Sequence, residues 1–213
     1  MLSPTNQEFL IDGPDGQLQL IHSVVNPAAN SNAIAIICHP HPLYGGSMSN
    51  KVVHIVNKTI NNAGINSIRF NFRGVEKSQG SFADGIGEVD DLLAVINWAK
   101  NNTSCNKLYL AGFSFGSFIA ALVASGQNSV LPIEQLLLVA PPVSMYDFKA
   151  VNIQVPCLVV QGGQDTVVDP QQVKNWVESQ PQAITLEWNE QAEHFFHGQL
   201  NFVRDAITKH WFS

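Results

Sequence analysis

The sequence predicts an α/β domain with an eight-stranded, mostly parallel sheet and helices on both faces. Apolar strand-like runs alternate with segments of helical periodicity along most of the 213 residues. The internal runs are almost continuously apolar, which is typical of strands covered on both faces. With 45% hydrophobic and 13% charged residues the chain can bury one sizeable core, so we expect a single domain over residues 1–213.

The first two runs, in EFLIDGPDGQLQLIHSVV, flank the turn sequence Gly13-Pro14-Asp15-Gly16 and predict an antiparallel hairpin at the sheet edge. The other predicted strands lie within 33–39, 66–72, 107–113, 135–140, 156–162 and 183–188. Apolar residues at helical spacing predict helices around 52–60, 89–96, 119–123, 173–177 and 202–207.

Composition excludes several classes of function. The formal net charge of −6 is dispersed and no Lys/Arg stripe is present, so we expect no nucleic-acid partner. The start, MLSPTNQEFLI, lacks a basic region before an apolar stretch, and no window is apolar enough for a membrane span. We therefore expect a cytoplasmic monomer or homodimer that acts on a small molecule, without membrane contact. Cys38 and Cys157 lie in apolar runs and are expected to be buried thiols.

The stretch GFSFG carries the main functional signal. It matches G-x-S-x-G, follows a predicted strand and precedes a predicted helix. A serine on such a turn is exposed to attack a substrate, and the flanking glycines avoid collisions with the neighbouring strand and helix. We predict that Ser114 is a nucleophile rather than a helix cap in a glycine-rich turn.

A serine nucleophile needs a base and an acid. Asp165 follows the strand at 156–162, and His194 follows the strand at 183–188. The order Ser, Asp, His, each just after a strand, fits the α/β-hydrolase arrangement.

At this point the chain resembles the α/β-hydrolase superfamily over nearly its whole length. The stretches CHPHPLYGGSMSNKVV, RFNFRGVEKSQGSF, GFSFG, GGQDTVVDP and HFFHG are similar to a lidless bacterial group of serine hydrolases related to dienelactone hydrolases and small carboxylesterases. The resemblance implies catalysis by Ser114, His194 and Asp165 without a cofactor. Where that group commonly has glycine, this chain has Glu76, which places a charge in a loop near the expected site.

Each partner of the serine has a competitor. Asp169 precedes Pro170 as a helix cap would, which favours Asp165 as the acid. His194 matches the resemblance, whereas His197 precedes Gly198 and leads into the last helix. Neither His194 nor His197 has the spacing of a helical metal pair, so we expect no metal.

The segment CHPHPLYGG is expected to supply part of an oxyanion hole. His39 and His41 form an H-x-H pattern, but each precedes a proline and no companion metal ligands follow. In this fold one oxyanion donor is the residue after the nucleophile, here Phe115, and the other comes from the loop after an earlier strand. Since prolines lack an N–H, we expect the second donor to be His41 or Leu43, with Tyr44 also open.

Arginine and acidic residues at the predicted rim have structural interpretations. Arg73 ends a strand and is expected to tie loops together through a carboxylate, with anion binding as the alternative. Asp90 and Asp91 are expected in a solvated first helical turn.

Only residues 141–155 separate the sixth and seventh strands, so we expect no lid and a shallow site suited to short acyl groups. The predicted activity is hydrolysis of an ester or thioester. The alternatives are amide or peptide cleavage by the same residues, or a non-catalytic binding module on the same fold.

Overall fold

The computed structural model of the protein describes residues 4–25, 32–126, 128–182 and 184–212. These residues form one eight-stranded sheet. Its strands are β1 (Thr5–Gly13), β2 (Gly16–Val24), β3 (Ala33–Cys38), β4 (Asn66–Phe70), β5 (Lys107–Phe113), β6 (Ile133–Val139), β7 (Cys157–Gly162) and β8 (Thr185–Asn189).

The strand order across the sheet is β1-β2-β4-β3-β5-β6-β7-β8. Strand β2 pairs antiparallel with both β1 and β4, and all later pairings are parallel. The predicted edge hairpin and mostly parallel sheet are therefore confirmed. Ala183, the first residue of the last predicted strand, lies outside the described residues.

Five helices of the described chain cover the two faces: α1 (Lys51–Asn62), α2 (Ile86–Asn102), α3 (Phe115–Ser125), α4 (Pro170–Ser179) and α5 (Leu200–Trp211). Helices α2, α3 and α4 contribute to one apolar core, and α1 and α5 to the other. Phe70 and Phe113 are almost fully buried in opposite cores, and burial of each contributes about 1.5–3 kcal/mol. None of these helices is long and apolar enough to cross a membrane.

The parallel pairing brings the carboxyl ends of β3, β5, β7 and β8 to one edge of the sheet. The loops that carry the predicted site residues all begin there. Between β6 and β7 the chain forms only loops and one short 3₁₀ turn, Phe148–Ala150. This segment, all of which the structure describes, therefore forms no lid over the edge.

Candidate active site

Ser114 lies on a sharp turn between β5 and α3. Its backbone has φ 52° and ψ −122°, a region that costs a non-glycine residue strain energy, and its N–H donates to the Val139 carbonyl at 2.8 Å. A Cβ at Gly112 would lie 2.2 Å from the Gly116 carbonyl oxygen, and one at Gly116 would lie 2.5 Å from the Cys38 carbonyl oxygen. Both flanking glycines are thus needed for the close contact of β5, α3 and β3, as predicted.

The side chains of Ser114, His194 and Asp165 form a hydrogen-bonded row. The His194 Nε2 lies 3.1 Å from Ser114 Oγ, and the His194 Nδ1 lies 2.7 Å from Asp165 Oδ2. Because the ionised carboxylate only accepts hydrogen bonds, Nδ1 carries the proton and Nε2 is free to accept one from the hydroxyl. The exposed fractions are 9% for Ser114, 5% for Asp165 and 4% for His194, so the row is screened from bulk water on most sides.

The carboxylate of Asp165 is held by three further donors. The N–H groups of Val167 and Val168 donate to Oδ1, each at 2.8 Å, and Gln161 Nε2 donates to Oδ2 at 3.2 Å. These contacts leave Oδ2 directed at His194 and fix the orientation of the imidazole. Gln161 was not identified from the sequence, although a polar residue inside the apolar strand β7 was a signal for it.

The competing residues lie elsewhere. Asp169 is exposed and caps α4, where it accepts from the N–H groups of Gln171 and Gln172. The Gln172 side chain also donates to Asp169, at 3.1 Å. That hydrogen bond, together with the two from the backbone, lowers the pKa of Asp169. The His197 side chain is 67% exposed and pairs with Glu193. The structure thus brings Asp165 and His194 next to Ser114, and it does not bring Asp169 or His197 there.

The loop after β3 approaches the start of α3. The N–H of Leu43 donates to His41 Nδ1 at 3.1 Å, and the N–H of Tyr44 donates to the His41 carbonyl at 3.1 Å. Within the described part of the chain the N–H of His41 has no such acceptor. The His41 ring lies 5.1 Å from the ring of Phe115, whose own N–H, in the first turn of α3, has no intrahelical partner.

A cleft of about 380 Å³ opens over Ser114. Among the residues that line it, Tyr44, Met145 and Phe195 are apolar and exposed at the rim, while Phe115 is buried. None of the lining residues is Lys, Arg, Asp or Glu; they are Pro40, His41, Tyr44, Gly45, Gly46, Asn50, Ser114, Phe115, Pro142, Met145, Tyr146, Val167, His194 and Phe195. Leu43 is 68% exposed and is not part of this lining. The sequence did not single out Met145, Tyr146 or Phe195 as wall residues, because the wall combines the loop after β6 with the loop after β8.

Arg73 has the structural role that we favoured. Its guanidinium pairs with Asp91 at 2.7 Å and donates to the Gly87 carbonyl at 2.6 Å. The expectation for Asp91 was wrong: it is fully buried in this pair, whereas Asp90 is exposed as expected. Helix α2 begins at Ile86, before the predicted start, which places Asp91 in its second turn and directs it toward Arg73.

Glu76 does not line the cleft. Its carboxylate accepts from Asn71 Nδ2 at 3.0 Å, and its backbone has a φ of 50°. At the cleft, burial lowers the pKa of His41, and the negative charges of Glu88 and Asp84 partly oppose that effect. Glu88 is buried and accepts from the N–H groups of Ala83 and Gly85.

Among the described residues, no three or more His, Cys, Asp or Glu side chains form a group that could bind a metal ion. Cys38 and Cys157 are buried, and desolvation raises the pKa of each thiol well above its ordinary range. Both behave as small apolar side chains rather than as nucleophiles.

The chain is similar to known proteins over most of its length. A family model described as an alpha/beta hydrolase domain matches residues 35–202. An alpha-beta serine hydrolase homologue from Coxiella burnetii is 42% identical, with a TM-score of 0.90 over 99% of this chain and 100% of that one. A serine hydrolase without a lid from Xanthomonas campestris, XC6422, is 39% identical, with a TM-score of 0.88 over 98% of this chain and 95% of that one. An uncharacterized protein of Rickettsia prowazekii, RP471, is 35% identical over 94% of this chain and 87% of its own length.

Proposed function

Since this chain belongs to the α/β-hydrolase family, in a group of lidless serine hydrolase homologues, we propose that it hydrolyses a small ester or thioester with a short acyl group. The observation that carries the proposal is the hydrogen-bonded row of Ser114, His194 and Asp165 at the floor of an apolar cleft. A binding module would have no chemical need for an imidazole held between a carboxylate and a strained serine.

The proposed reaction has two halves. In the first, His194 Nε2 takes the hydroxyl proton as Ser114 Oγ attacks the carbonyl carbon, and the same proton then passes to the leaving alcohol or thiol. In the second, water loses a proton to His194 and attacks the acyl-enzyme, which releases the acid and returns the proton to Ser114 Oγ. Asp165 orients the imidazole and stabilises its charged form throughout.

The oxyanion formed in each half needs two donors. The N–H of Phe115 is one, because it follows the nucleophile and has no intrahelical acceptor. For the second, the contacts favour His41 over Leu43, since the N–H of Leu43 is engaged by His41 Nδ1 and Leu43 does not line the cleft. The N–H of Tyr44 is likewise engaged, by the His41 carbonyl.

The cleft also limits the substrate. Its open form and the absence of a lid leave a long acyl chain in water, and each CH₂ gains only about 0.8 kcal/mol if it is buried. We expect the highest kcat/KM for acyl groups of about C2 to C6, with no activation at lipid interfaces. Because none of the described residues that line the cleft is Lys, Arg, Asp or Glu, no such charge is available to pair with an anion, and the acyl group is expected to be uncharged.

A series of p-nitrophenyl esters, the corresponding thioesters and aminoacyl anilides tests these expectations, with Ser114→Ala as the blank. A butyrate ester should be cleaved faster than the mono-p-nitrophenyl ester of succinate, which is of similar length but carries a carboxylate. Activity that rises steadily to C12, or jumps above the critical micelle concentration, would contradict the open-cleft account. Faster cleavage of the anilides than of the esters would favour the amide alternative.

A further inference from the structure

His39 is buried in the loop after β3, and both of its ring nitrogens are engaged. The backbone N–H of Phe72 donates to His39 Nε2 at 3.0 Å, so the ring proton is on Nδ1, which donates to the Pro40 carbonyl at 2.6 Å. The residue is 0% exposed, and desolvation lowers the pKa of His39 to about 4. The ring therefore stays neutral, in this tautomer, near neutral pH.

The Pro40 carbonyl belongs to the same peptide unit as the N–H of His41. A planar trans peptide directs its carbonyl and its N–H in opposite directions, and the described residues contain no cis peptide bond. A hydrogen bond that fixes the Pro40 oxygen therefore also fixes the direction of the His41 N–H, which points away from His39. Donation to the oxygen also polarises the peptide and makes its N–H a stronger donor.

The imidazole itself has a rigid anchor. Phe72 is fully buried, directly beyond β4, and its ring lies 4.8 Å from that of His39. On the other side, a Cβ at Gly116 would lie 2.5 Å from the His39 carbonyl oxygen, so the loop packs directly on the first turn of α3. The peptide that carries the His41 N–H is thus held relative to the N–H of Phe115.

We propose that His39 is a positioning residue for the oxyanion hole, which acts by holding the Pro40–His41 peptide so that the His41 N–H faces the developing oxyanion. The inference rests on the proposed function. It assigns to the first histidine of the H-x-H pattern a role through the backbone, with no contact to substrate and no metal.

Two substitutions separate the two hydrogen bonds of His39. In His39→Asn the amide nitrogen is as many bonds from Cα as Nδ1, so the bond to the Pro40 carbonyl can be kept while that from Phe72 is lost. In His39→Gln the amide oxygen is as many bonds from Cα as Nε2, so the bond from Phe72 can be kept while that to Pro40 is lost. We expect His39→Gln to lower kcat for a p-nitrophenyl ester by about tenfold to a hundredfold, with little change in KM. This decrease in kcat is smaller than the one expected when an oxyanion donor is removed altogether, because the His41 N–H is misaligned but still present. His39→Asn should keep kcat within about threefold of the wild type, since the donor remains aligned.

Affinity for a trifluoromethyl ketone, which forms a hemiketal oxyanion on the serine, should fall in parallel with kcat. The matched control is His22→Asn, because His22 is also buried, packs against Trp98 and does not line the cleft. It should lower the Tm but leave kcat and ketone affinity unchanged.

Equal kcat values for the two His39 variants, or a loss confined to His39→Asn, would overturn the inference. If His39→Gln does not fold, the Asn variant decides alone: retained kcat and ketone affinity support the inference, and their loss overturns it. A wild-type protein that cleaves no ester, thioester or anilide would instead contradict the proposed function itself.

Discussion

Two buried acid–base pairs lie at the same edge of the sheet and differ in what the base can still do. Asp91–Arg73 and Asp165–His194 both have a shortest N–O distance of 2.7 Å, and both carboxylate side chains are 0% exposed. The guanidinium stays charged, and it also donates to the Gly87 carbonyl. The imidazole uses only Nδ1 in its pair with Asp165, and its second nitrogen faces Ser114 Oγ. The first pair ties the loop after β4 to helix α2, and the second leaves His194 Nε2 free to accept a proton from the serine.

The largest expected effect comes from removal of the imidazole. His194→Ala should lower kcat by about 10⁴- to 10⁶-fold, because the hydroxyl loses its base and the leaving group loses its acid. Steady-state assays with a p-nitrophenyl ester measure this directly. The control is His197→Ala, which removes an exposed side chain three residues away and should keep most of the activity. A larger loss of kcat in His197→Ala than in His194→Ala would show that His197, and not His194, is the base.

A smaller loss is expected from Asp165→Asn, about 10⁴-fold in kcat, because the amide favours the wrong imidazole tautomer. Asp169→Asn is its matched control, since asparagine also caps helices well and Asp169 lies at the exposed start of α4. Circular dichroism should show the same fold for both variants. Comparable kcat values for the two variants would contradict the assignment of Asp165 as the acid.

Disruption of the Arg73–Asp91 pair should lower stability rather than kcat. Arg73→Met leaves the Asp91 carboxylate buried without its partner, and we expect the free energy of unfolding to fall by about 3–5 kcal/mol. Urea denaturation measures that loss, while kcat for each titrated active site should stay near the wild-type value. Adding Asp91→Leu should restore much of the stability, since the unpaired charge is removed. A loss of kcat that persists in the double variant would indicate that Arg73 also acts in the site.

The smallest expected effect is on the pH dependence of stability. Burial lowers the pKa of His39 to about 4 in the folded protein, below the 6.5 of an ordinary histidine, so the unfolded chain binds more protons between these values. The Tm should therefore fall as the pH is lowered from about 6.5 toward 4, with His39 accounting for about 3 kcal/mol at most. His39→Asn should show a shallower fall than the wild type in the same buffers. Parallel curves would contradict a neutral buried His39.

The sequence predicted the parts of the site that local signals specify. G-x-S-x-G between a strand and a helix identified Ser114, and the loops after β7 and β8 contained Asp165 and His194. The rule that loops at the carboxyl ends of parallel strands meet brings these loops together, while a helix-cap argument favoured Asp165 over Asp169 and the family resemblance favoured His194 over His197. The turn sequence Gly13-Pro14-Asp15-Gly16 predicted the antiparallel hairpin, and the short segment 141–155 predicted the absence of a lid.

The rest depends on contacts between distant residues. The pairing of Asp91 with Arg73 was missed because α2 begins one turn earlier than its apolar pattern indicated, with Glu88 accepting from the backbone before the helix. The preference for His41 over Leu43 depends on the side-chain acceptor His41 Nδ1 and on which of the two residues lines the cleft, and no sequence pattern reveals either. The role of His39 likewise requires knowing that Phe72 lies beside it.

Covalent labelling of Ser114 tests the central claim most directly. An alkyl fluorophosphonate should lose fluoride and form one phosphorus–oxygen bond to Ser114 Oγ, because His194 removes the hydroxyl proton and the oxyanion donors accommodate the phosphoryl oxygen. Intact-mass and peptide-mapping spectrometry of the folded protein should show a single adduct on Ser114, absent from Ser114→Ala and strongly slowed in His194→Ala. No adduct on the folded wild-type protein, or an adduct on another residue, would contradict the account.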